Sequence, residues 1–76
     1  MSNLRYDLNE CCRIFLNEYG TPPTIMVISP DAYDELIEIA NNELGFGVTA
    51  LQTYKTEGGV WMDLYQSPKV KFCEVF

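Results

Sequence analysis

The sequence predicts an α+β fold in one small domain spanning residues 1–76. Its elements run α-β-α-β-β-β, two amphipathic helices packed on a mixed or antiparallel sheet that closes with a C-terminal meander. Three observations carry the prediction. Two stretches place apolar residues three and four apart and have capping residues at both ends. A β-branched apolar run lies between them, and after residue 47 short β-prone runs alternate with turns containing Gly or Pro. Helix and strand are mixed without regular alternation, which favours α+β over a doubly wound sheet.

The first helix is expected from Leu4 to Tyr19, with Leu4, Leu8, Cys11, Cys12, Phe15 and Tyr19 as its apolar stripe. Ser2 or Asn3 can cap its start, and Gly20 can take the left-handed conformation that ends it. Pro22-Pro23 forbids further helix. Thr24 to Ile28 is apolar on both faces and reads as a central strand. Ser29-Pro30-Asp31 then signals a helix start: a hydroxyl cap, a proline where no N–H is needed, and an acid facing the positive helix end. The second helix carries Tyr33, Leu36, Ile37, Ala40 and Leu44 on one face and stops at Gly45. Strands are expected at Val48–Tyr54, Val60–Tyr65 and Val70–Phe76, joined by turns at Thr56–Gly59 and Gln66–Lys69.

Composition narrows the function. Hydrophobic residues make up 47% of the 76-residue chain and aromatics 13%, which excludes a disordered segment. A chain this short buries only about 60% of its unfolded surface, so a partner subunit is a common support. There is no histidine, which removes the commonest general base, the commonest transition-metal ligand and any Ser-His or Cys-His pair. The longest uncharged apolar run, Thr24–Ser29, is too short to cross a membrane. The opening residues lack the apolar run of a signal peptide, so the expected location is the cytoplasm. Residues 1–45 hold two basic and eight acidic side chains, and they account for the whole net charge of −6. Five scattered Lys and Arg make neither nucleic acid nor an anionic membrane an expected partner.

No residue set points to catalysis, a cofactor or a metal. Cys11, Cys12 and Cys73 lack metal-ligand spacing, since neighbouring helical residues point about 100° apart. They read as packing residues, and an odd count with no export signal fits a reducing compartment. Asp31 with Glu35, and Asp34 with Glu38, are like-charge pairs on one helical face. They form either a solvated surface or a contact for a basic partner. Gly45-Phe46-Gly47 lacks the third glycine of a dinucleotide loop and follows a helix instead of a strand. Ten aromatics exceed what a core of this size holds. Trp61 and Tyr65, flanking Asp63, and the terminal Phe76 are therefore expected on a surface that another chain covers.

The stretch Asp7–Ile39 resembles one segment of the tailed-phage major capsid proteins, whose fold is shared with encapsulin shells. There, an amphipathic helix of the axial domain ends in a Gly/Pro loop, followed by an apolar strand, a Ser/Asn-Pro turn and a helix opening with an aromatic residue and Leu. Here the matching residues are Leu8–Gly20, then Pro23–Ser29, Pro30, Tyr33 and Leu36. Gly47-Val48 and the strands after it are similar to the sheet that follows. The peripheral domain, extended loop and N-terminal arm of such proteins have no counterpart. The resemblance implies an axial domain standing alone, non-enzymatic and associating around a symmetry axis, with no catalytic residues to carry over. The expected function is therefore a self-associating assembly module of the cytoplasm or of a virion. The alternative is a small acidic phage- or plasmid-type accessory protein that binds a basic host or virion protein through helix 31–43, with Asp34, Glu35 and Glu38 at the contact.

Overall fold

The computed structural model describes residues 3–45 and 47–76. The candidate cap Ser2 and the Phe46 of the Gly45–Gly47 stretch lie outside the described residues. Helix α1 runs Leu4–Tyr19, strand β1 Ile25–Ile28, helix α2 Pro30–Leu44, and strands β2, β3 and β4 Thr53–Lys55, Trp61–Gln66 and Cys73–Val75. The order is the expected one, and the fold is a small α+β domain with two helices and a four-stranded mixed sheet.

Local chemistry explains both helices. Asn3 accepts the Tyr6 N–H at 3.1 Å and Ser29 Oγ accepts the Ala32 N–H at 3.2 Å, each relieving an orphan donor of a first turn. Gly20 and Gly45 close the helices with φ of 75° and 74°, left-handed values that any side chain would strain. The buried stripes differ from those expected. In α1, Leu4, Leu8 and Cys12 are buried, Cys11 and Phe15 are half-buried, and Tyr19 is exposed, its ring tilted against that of Phe15 with centroids 4.5 Å apart. In α2, Ala32 and Leu36 are buried, while Leu44 in the last turn is exposed.

The sheet order is β2-β3-β1-β4, with β1 parallel to β3 and antiparallel to β4. β1 is thus central, as its two-faced apolar sequence predicts. The expected C-terminal meander is corrected: only β2 and β3 pair as a hairpin, and β4 lies on the far side of β1. The connecting segment carries the chain around the end of β1, where Ser67 N–H donates to Ile28 O and Ser29 N–H donates to Phe72 O. β1 has ladder bonds to offer on both edges, and β4 satisfies the second one. β2 is also shorter than expected. The backbone of Val48 is held from both sides by the Asn41 side chain, and that of Leu51 by the Tyr33 hydroxyl. Those groups are taken by α2 and do not join the ladder.

One core joins the helices to one sheet face. Leu4, Leu8 and Cys12 of α1 and Ala32 and Leu36 of α2 pack with Met26, Ile28, Tyr54, Met62 and Leu64 of the strands. Leu8, Met26 and Ile28 are fully buried. Both helices therefore cover the same side of the sheet.

Candidate functional site

Side chains alternate across a strand, so the residues between those core positions project from the opposite, uncovered face. They are Trp61, Asp63 and Tyr65 of β3, Thr53 and Lys55 of β2, Ile25 and Val27 of β1, and Glu74 of β4. Trp61 is 62% exposed and Tyr65 56%. The Lys55 ammonium lies 5.5 Å from the Trp61 ring centroid, a cation–π contact. An aromatic strand beside two aliphatic residues makes this face more apolar than the water-facing side of an antiparallel sheet.

A second apolar surface forms where α1 meets the end of the sheet. Cys11, Ile14, Phe15 and Tyr19 line a shallow cleft with Val75 and Phe76, and Phe76 is 57% exposed. A third surface is the acidic side of α2, where Asp31, Asp34, Glu35 and Glu38 are all exposed. The expected contact residues are thus all at the surface but in three separate places. Trp61, Asp63 and Tyr65 share the open sheet face, Phe76 lies at the α1 cleft, and Asp34, Glu35 and Glu38 lie on the helical layer behind the sheet. Two features escaped the sequence reading. Ile14 and Leu16 of α1 are exposed, a departure signalled by the unbroken Ile14-Phe15-Leu16 run, which is wider than one helical stripe. Lys55 joins Trp61 through hairpin pairing, which no linear spacing reveals.

Electrostatics follow burial. Tyr54 is pushed up to about 12, mainly by burial, and its hydroxyl donates to Asn9 Oδ1 at 2.8 Å. Burial, with the neighbouring Cys11, pushes Cys12 up to about 11, and its Sγ lies 3.9 Å from Met62 Sδ. Cys73 is also raised, first by burial and then by Cys11 beside it. Protonated thiols of this kind are poor nucleophiles. At the surface, a hydrogen bond from Arg13 holds Glu10 below the ordinary carboxylate value, and Arg5 pairs with Glu43 to tie α1 to α2. Among the described residues, no charged side chain is buried and no group of three His, Cys, Asp or Glu is placed to hold a metal ion. No helix among them is long and apolar enough to cross a membrane. Comparison with protein-family models, with curated proteins and with solved structures finds no match to this chain.

Proposed function

We propose that the protein is a non-enzymatic assembly module that associates with copies of itself, in the manner the capsid axial-domain resemblance implies. The observation that carries this reading is the uncovered sheet face, with Trp61 62% and Tyr65 56% exposed beside Ile25 and Val27. Aromatic side chains of this size are the anchors of protein interfaces, and a partner sheet would bury them at little conformational cost. Three free thiols fit the reducing cytoplasm as the place of assembly. Light scattering over a micromolar concentration series should give a multiple of the 8.7 kDa chain mass. A mass near 8.7 kDa throughout would overturn the reading.

A second reading has its own observation. Asp31, Asp34, Glu35 and Glu38 are exposed, and among the described residues none has an ion-pair partner. Such a face suits a basic surface of another protein, as the accessory-protein alternative requires. A monomeric protein would favour this reading over the first.

A further inference from the structure

We infer that two copies dock through their open sheet faces about a two-fold axis, with Lys55 of each reaching the partner's Asp63. The inference rests on the self-association reading and names its contact. The hairpin register sets Lys55 opposite Trp61 and Thr53 opposite Asp63. These four residues mark the corners of a rectangle about 4.8 Å across and about 7 Å along the strands. Lys55 and Asp63 occupy one diagonal, Trp61 and Thr53 the other. Within one copy the two charges do not pair: the Lys55 ammonium lies over Trp61, and among the described residues Asp63 has no ion-pair partner.

Charge complementarity selects the second copy as occupant. A two-fold contact presents the same patch from both sides, so a charged patch is complementary to itself only when it carries both signs. This one does, and Lys55 is the one basic residue in the four strands. An axis lying between the sheets and close to the Trp61–Thr53 diagonal exchanges the other two corners. Each Lys55 then faces the partner's Asp63, two contacts in all, and Trp61 meets its own copy near the axis. The strands of the two sheets cross steeply, within the orthogonal class of sheet packing. Laying β3 squarely over its copy would instead press Asp63 on Asp63, a like-charge contact that loses water.

Charge exchange tests the contact. Lys55→Glu and Asp63→Lys should each be monomeric where the unaltered chain associates, because each sets like charges together in its own pair. Mixed in equal amounts, the two variants should recover a species of twice the chain mass by light scattering, since both cross-contacts are again attractive. Both positions are exposed, so circular dichroism should show each variant folded. Should a reversal disturb folding, the neutral variants Lys55→Gln and Asp63→Asn should each still weaken association several-fold. An unaltered chain that stays monomeric would defeat the self-association reading. An unaltered chain that associates, with variants that associate equally well or a mixture that stays monomeric, would defeat this docking alone.

Discussion

Ser29 joins three parts of the chain. Its hydroxyl accepts the Ala32 N–H, its carbonyl accepts the Tyr33 N–H at 2.9 Å, and its own N–H donates to Phe72 O at 2.8 Å. Ser29→Ala removes only the first of these and should cost about 1 kcal/mol in thermal or denaturant unfolding. Ser29→Asp should be close to neutral, because a carboxylate caps and faces the positive helix end, with nearby Asp31, Asp34 and Glu35 trimming the gain. Tyr54 sets a pH dependence. The folded chain holds the Tyr54 and Cys12 protons more tightly than the unfolded chain, whose groups ionise near 10 and 9. Stability is therefore complete below about pH 9 and falls as pH rises through 11 and 12. Tyr54→Phe should cost about 1 kcal/mol at neutral pH by removing the bond to Asn9, and should flatten the alkaline decline of the melting temperature. The Ser29 cap was legible because its signal is local: Ser, Pro and Asp in sequence. The Tyr54–Asn9 bond was not, since it joins residues 45 apart that only the packed helix and sheet bring together.

At the scale of elements, the segment from residue 48 to 52 shows tertiary ties prevailing over strand propensity. Its Val and Thr content favours a strand, yet Asn41 and Tyr33 of α2 take the backbone groups that a ladder would use. Tyr33→Phe deletes both bonds to Leu51 and should cost about 1–2 kcal/mol. The Leu51 amide should then exchange with deuterium faster than those of β3, while an unchanged rate would mean that the hydroxyl does not hold the segment. Both helices and the central placing of β1 could be read from periodicity, caps and a two-faced apolar run. The partner of β4 could not. A strand of alternating character fits beside β1 or β3 equally well, and what decides is the path of the loop past Ile28, fixed by Ser67 and Phe72. For the candidate site, the exposure of Trp61 and Tyr65 followed from counting aromatics against chain size. Their shared face with Lys55 needed the hairpin register.

For the molecule as a whole, the exposed position of Trp61 decides how its truncation behaves. Trp61→Ala empties no core space, so the monomer should change by less than about 1 kcal/mol, mainly from the lost Lys55 contact. Association should weaken markedly, measured as a shift of the mass transition to higher concentration. Loss of folding instead would show that the ring supports the sheet from its open side. The two-sided pairing of β1 also bears on how the chain is made. Synthesis runs from the N-terminus, and Ile25 lies in register with Asp63 and exchanges backbone hydrogen bonds with Phe76, both of which emerge long after it. Through most of that time both helices can form, but the strand they are to cover has neither neighbour. Met26 and Ile28, fully buried at the end, must wait exposed or rest against α1 and α2 alone. A nascent chain halted before residue 61 should therefore be helical, sheetless and open to chaperone capture, and completion of the last strand should turn it cooperative in a single step.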